Sequence, residues 1–229
     1  MSLSCDSGAV SKDSTAPRLS DALRRAAEPF WTRSVEHRFT RELIADTLPD
    51  AVYARYLIQD YLFLDTLARV LGFAIAQAPD MPPKTKLAAF LAAVTSEEND
   101  YFLRSFRALE VTEEDWRTAT PNDATRRFGA VMLGAAREGY AEALAVLLPA
   151  EWVYLSWASA AGGTRPKRFY LAEWIRIHAI PEFEAFVAWL REEMDRVGPT
   201  LSPERRERVA SLFREIAKLE VAFFDAAYE

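Results

Sequence analysis

The sequence predicts an all-α protein, a bundle of long antiparallel helices. Three observations carry that expectation: apolar residues recur at helical spacing nearly everywhere, no run alternates with period two for long enough to make a sheet, and helix-ending residues separate the periodic stretches by short gaps. Half of the 229 residues are hydrophobic and only eight are glycine, so the chain can bury a large core within one domain, expected over 18–229. Residues 1–17 are rich in Ser, Asp, Gly and Lys and lack apolar periodicity, which reads as a disordered tail.

Helices are expected near 19–36, 39–46, 50–78, 84–109, 112–118, 122–137, 139–161, 167–178, 181–197 and 202–228. Leu48-Pro49-Asp50 separates the second from the third, and Pro79-Asp80-Met81-Pro82-Pro83 ends the third. Pro149 falls inside the apolar run from Tyr140 to Ala160, where its missing N–H frees the carbonyl of Ala145 and predicts a kink beside Glu151, Trp152 and Tyr154. Gly162-Gly163-Thr164-Arg165-Pro166 closes that helix. Ser202, Pro203 and Glu204 supply the N-cap, first position and first-turn acid of the last one.

Composition excludes several classes of function. The net charge is −6, and the Arg24-Arg25, Arg126-Arg127 and Arg205-Arg206 pairs alternate with acids, so no basic stripe exists for nucleic acid. The single cysteine, Cys5, lies in the tail and cannot form an intramolecular disulfide. No signal peptide is evident and no apolar run of about 18 residues is uninterrupted. A cytoplasmic chain without a membrane partner is therefore expected.

Two acids stand on the wrong side of their helices. With about 100° per residue, Arg55, Gln59, Thr66 and Arg69 share a polar stripe, whereas Asp60 falls about 140° from Arg55 among Tyr53, Tyr56, Leu64, Leu67 and Leu71. On the last helix Glu207, Ser211, Arg214, Lys218 and Asp225 mark the wet face, and Glu220 points about 180° away from its centre, among Val209, Phe213, Ile216 and Phe224. One internal acid is best read as the partner of a buried arginine, tyrosine or amide. Two, each on a helix rich in aromatics, point to a polar pocket in an aromatic cage, because burying an unpaired carboxylate is costly. Phe63, Tyr154, Phe223 and Phe224 could stack on a flat ligand, although each alone is as well explained by the core.

Metal chemistry has little to work with. Only His37 and His178 are present, with Ser34 and Ile175 three positions before them, so neither completes a Glu-x-x-His pair, and Glu97, Glu98 and Asp100 diverge around their helix. No Cys/His zinc spacing, phosphate-binding glycine loop or nucleophile elbow occurs. The expected partner is a small heteroaromatic molecule, with neither metal nor cofactor.

Three motifs in order then carry a resemblance. Leu48-Pro49 followed by Tyr56-Leu57-Ile58-Gln59-Asp60-Tyr61-Leu62-Phe63-Leu64 resembles the early helices of the TenA family. Leu147-Leu148-Pro149-Ala150-Glu151-Trp152-Val153-Tyr154 is similar to its central Leu-Pro-Cys-x-Trp-x-Tyr segment, and Leu219-Glu220-Val221-Ala222-Phe223-Phe224 to its closing Glu-x-x-Phe element. The resemblance implies a haem-oxygenase-like helical bundle that needs no haem, assembled as a homo-oligomer (dimer or tetramer). It implies an activity in thiamin salvage: hydrolysis of an aminopyrimidine or of thiamin itself. Asp60 would hold the pyrimidine through its amino group and ring nitrogen, Glu220 would transfer protons, and Phe63, Tyr154 and Phe223 would surround the ring.

The chain departs from that pattern at defined places. Ala150 stands where many relatives have a nucleophilic cysteine, so the resemblance is to a branch that works with acids. Glu151 adjoins the vacant position and is a third candidate acid. His178 replaces a pocket tyrosine, and Arg127 or Phe128 occupies another aromatic position. Loss of the thiol leaves two alternatives open: a non-enzymatic binding or regulatory protein for a heteroaromatic ligand, and a different reaction on the same fold, such as oxidation of an aromatic compound.

Overall fold

A computed structural model of the chain describes residues 18–229, apart from the side chains of Glu97 and Glu98. Cys5 and the tail 1–17 lie outside the described residues, as do the Glu97 and Glu98 side chains of the acidic cluster. Within them the chain is all helical: α1 (Leu19–Ala26), α2 (Phe30–Val35), α3 (Arg38–Ile44), α4 (Asp50–Gln77), α5 (Met81–Ala93), α6 (Asn99–Ala108), α7 (Glu113–Thr118), α8 (Asp123–Glu138), α9 (Tyr140–Ala160), α10 (Phe169–Ile177), α11 (Pro181–Val197) and α12 (Pro203–Ala226).

Prolines explain where this differs from expectation. The single helix expected over 19–36 is two, because Pro29 has no N–H to extend α1 and instead caps α2. The helix expected from 84 begins at Met81, since Pro82 and Pro83 sit in the first turn, where backbone N–H groups have no intrahelical partner to lose. That helix is also interrupted: a wider π turn at Val94–Glu98 separates α5 from α6. Helix α9, by contrast, runs unbroken through Pro149.

The caps behave as their chemistry dictates. Ser202 Oγ accepts from the Arg205 N–H at 3.3 Å, and Asn122 Oδ1 accepts from the Thr125 N–H at 2.8 Å. Thr112 and Asp115 form a reciprocal capping box at the start of α7.

Helix α9 is the axis of the fold. It packs against α12, α8, α11 and α4, and Leu144, Val146, Leu147, Leu148 and Val153 are fully buried. By length and apolar composition it is long enough to cross a membrane, yet fourteen of its 21 residues are buried inside the protein, as a helix apolar all round requires. The turn before α10 is tied to the α3–α4 turn by Arg168, whose Nε donates to Asp46 Oδ1 at 2.7 Å and whose Nη1 donates to the Leu48 carbonyl at 2.7 Å. That anchor fixes where α10 and the residue following it, His178, meet α9.

Candidate active site

Five acids are buried among the described residues: Asp60, Glu142, Glu151, Glu193 and Glu220. Two of them are structural. Glu142 takes Arg205 as a bidentate partner at 2.9 and 2.6 Å, and Glu193 takes Arg196 at 2.7 and 2.6 Å together with the Tyr140 hydroxyl at 2.8 Å. Burial pushes the Glu193 carboxyl up, but its Arg196 and Tyr140 hydrogen bonds outweigh it and leave the group below the ordinary carboxylate range.

The other three have no cation partner among the described residues. Asp60 on α4, Glu151 on α9 and Glu220 on α12 converge on one cavity of about 750 Å³. Burial pushes Asp60 up to about 7, with partial relief from the Tyr56 hydroxyl, which donates to Oδ2 at 3.2 Å. Glu151 is pushed up to about 8, first by burial and then by the negative field of Asp60. Glu220 rises well above the ordinary range through burial and the fields of both other acids, and its Oε2 is buried without a hydrogen-bond partner. Three carboxyls in one low-dielectric space cannot all ionise near neutrality. Burial and their mutual repulsion therefore keep protons on this cluster near neutrality.

Hydroxyls set the direction of the local network. Tyr56 commits its proton to Asp60, so the 2.8 Å contact between the Tyr56 and Tyr154 hydroxyls has Tyr154 as donor. Nearby, Tyr53 donates to the Tyr101 hydroxyl, which in turn donates to the Tyr170 carbonyl at 2.8 Å. The aromatic wall comes from three helices. Phe63 of α4 lies 4.8 Å from the Phe128 ring of α8 and 6.2 Å from Phe223 of α12, measured between centroids. His178, directly after α10, lies 4.9 Å from the Tyr154 ring, and Trp174 packs edge-on to it at 4.5 Å. Its Nδ1 meets the Trp174 carbonyl at 2.9 Å, and burial depresses its pKa to about 4, so the ring is neutral at pH 7.

All seven candidate residues, Asp60, Phe63, Glu151, Tyr154, His178, Glu220 and Phe223, line this one cavity, and Ala150 lies in its wall. Phe128 lines the cavity, while Arg127 points to Glu215 at 2.6 Å. Of the four rings offered for stacking, Phe224 is a core residue, fully buried against Phe39 at 5.1 Å, and Trp152 beside the wall packs on Trp31 at 5.0 Å beneath Arg191; neighbours of a lining residue point elsewhere around a helix. Trp174 and Tyr101 also line the cavity and were not singled out from sequence, because both sit in ordinary apolar helical stripes. Among the described residues no three His, Cys, Asp or Glu side chains are grouped as a metal ion would need.

An all-helical bundle enclosing cation-free carboxyls in an aromatic cavity defines the class. The family model described as TENA/THI-4/PQQC family matches residues 24–229, and the chain belongs to that family. It is 25% identical over 211 residues to an aminopyrimidine aminohydrolase of Halalkalibacterium halodurans, covering 90% of this chain and 94% of that one. A solved TenA homologue from P. horikoshii OT3 superposes with a TM-score of 0.83 at 26% identity, over 93% of this chain and 99% of the other. A domain of unknown function with a haem-oxygenase-like fold from Shewanella denitrificans superposes with a TM-score of 0.59 at 16% identity over 93% of both, a likeness of fold.

Proposed function

We propose that the chain hydrolyses a C–N bond of an aminopyrimidine-type thiamin breakdown product by carboxyl acid/base chemistry, without a cysteine nucleophile. The observation that carries this reading is the meeting of three cation-free buried carboxyls from three helices in one aromatic cavity. The name of the Halalkalibacterium relative, aminopyrimidine aminohydrolase, supports the substrate class.

The chemistry follows from carboxyls that hold protons near neutrality. A carboxyl that keeps its proton up to about pH 7 can donate to a ring nitrogen and accept from the adjoining amino group at once, which suits Asp60. Transfer of that proton makes the ring cationic and more open to attack. Glu220 gives its proton to the departing amine as the C–N bond breaks, the carboxylate so formed takes a proton from the attacking water, and the ring nitrogen returns its proton to Asp60. Glu151, beside Ala150, helps hold the attacking water. Two carboxyls with separated pKa values thereby divide the acid and base roles.

Ammonia release from candidate aminopyrimidines tests the reading. Glu220→Gln is expected to bind the pyrimidine but lose roughly 10²–10⁴-fold in turnover, and Asp60→Ala to lose both. Parental turnover in Glu220→Gln overturns the assignment. The absent thiol at Ala150 favours one second reading, a binding or regulatory protein, for which the same compounds would raise the melting temperature with no product after long incubation.

A further inference from the structure

The cavity is larger than its acidic end. At about 750 Å³ it falls within the roughly 300–1,000 Å³ of sites for drug-sized ligands, whereas a substituted pyrimidine is a single ring. Ring contacts trace where the rest of the space goes. From Tyr154 they pass to His178 at 4.9 Å, from His178 to Phe183 at 5.2 Å, and from Phe183 to Phe90 at 6.3 Å. Phe90 stacks on Phe186 at 3.9 Å, and all five rings line the same cavity. One end holds the three carboxyls, the other is lined by the Phe90, Phe183 and Phe186 rings with charges of both signs around them, and His178 stands between the two.

His178 has a fixed polarity. A carbonyl oxygen can only accept, so the 2.9 Å contact with the Trp174 carbonyl makes Nδ1 the protonated nitrogen. In the neutral ring Nε2 is then an acceptor, and among the described residues no group donates to it. The apolar end offers no fixed charge of one sign. Arg104 is held by Glu173 at 2.9 and 2.7 Å, and the exposed Lys86 and Glu182 at its rim are opposite in charge.

We infer that this cavity takes a two-part ligand: a heteroaromatic head among the carboxyls, joined through an N–H to an uncharged apolar arm against Phe183, Phe90 and Phe186, with that N–H donated to Nε2 of His178. The inference rests on the proposed function for its head group and extends it to N-acylated aminopyrimidines whose acyl group carries an apolar arm. A pyrimidine joined to a quaternary nitrogen has no hydrogen for His178 and is disfavoured. In such a substrate the amide C–N bond breaks and a C–O bond to water forms. The nitrogen leaves with a proton from water, and the acyl group leaves as a carboxylic acid.

Three compounds test this: an aminomethylpyrimidine, its N-benzoyl amide and the N-methyl-N-benzoyl amide, compared by initial rates and by titration calorimetry. The amide is expected to bind about tenfold tighter than the amine, and N-methylation to remove about tenfold by leaving Nε2 unpaired. His178→Phe should abolish the distinction between the two amides, His178→Gln, which keeps an acceptor, should retain it, and Phe183→Ala should remove the benefit of the arm. Equal affinity of the two amides for the parent protein overturns the inference, as does an amine bound as tightly as the amide. Turnover of the amine without any gain from the arm sinks the inference alone. The binding pattern without product from any compound sinks the hydrolase reading alone.

Discussion

Between about pH 4 and 8 the unfolded chain releases protons that Asp60, Glu151 and Glu220 keep in the folded one. Their folded pKa values are raised, so their contribution to stability is fully present below the unfolded carboxylate pKa and is lost as pH rises through the folded values. His178 acts in the opposite sense between about pH 4 and 6.5, because its folded pKa is depressed and the unfolded ring binds the extra proton. The window from about pH 6.5 to 8 therefore isolates the acids. Urea unfolding should show stability falling across it, and Glu151→Gln should flatten the fall, gaining on the order of 3 kcal/mol relative to the parent between pH 5 and 8. A parent stability that rises with pH there would contradict the raised carboxyls. At this scale the sequence was partly legible. A helical wheel finds Asp60 and Glu220 because their own helices supply a polar face to measure against, but it passes over Glu142 and Glu193, which are equally buried. Nor can it tell which buried acid meets a cation: Arg205 reaches Glu142 from 63 residues away.

The ion pair between Glu142 and Arg205 ties α9 to α12, the two helices that carry Glu151 and Glu220. Glu142 is almost completely buried while the Arg205 side chain is half exposed, which makes the two halves of the pair unequal. Arg205→Ala leaves a buried carboxylate uncompensated and should cost about 3–5 kcal/mol in urea unfolding at pH 7. Adding Glu142→Gln removes the stranded charge, and the double variant should recover most of that loss. If the single variant is as stable as the parent, the pair does not organise these helices. Element boundaries show which sequence signals carry physics and which carry habit. Proline ended α4 as the sequence led one to expect and divided α1 from α2 where a single helix was expected, and the same residue opened α5 three positions earlier than a terminator reading allows. The π turn at Val94–Glu98 left no mark in composition, because one extra residue in a helical turn alters no periodicity that a short window can detect.

At the scale of the whole molecule the site is a property of packing around α9. Periodicity gives the direction in which Asp60 and Glu220 point, but not that α4 and α12 stand on either side of one cavity; that part came from the order of three motifs resembling a known family. The outer apolar compartment was not legible at all, since Phe90, Phe183 and Phe186 occupy unremarkable helical stripes. A ligand enclosed by so many elements should report on the fold as a unit. At a hundredfold excess over its dissociation constant it adds about 2.7 kcal/mol, which for a chain of this size raises the melting temperature by roughly 5–10 °C. Asp60→Ala should abolish that rise under the same conditions. Leu147→Ala, fully buried on α9 and not part of the cavity wall, should lower the melting temperature through a loss of about 2–5 kcal/mol yet leave the ligand-induced rise intact. Stability and recognition are thus separable on one helix: one face of α9 holds the bundle together, while Ala150, Glu151 and Tyr154 furnish the cavity. Equal loss of the rise in both variants would mean that the cavity has no identity apart from the core around it.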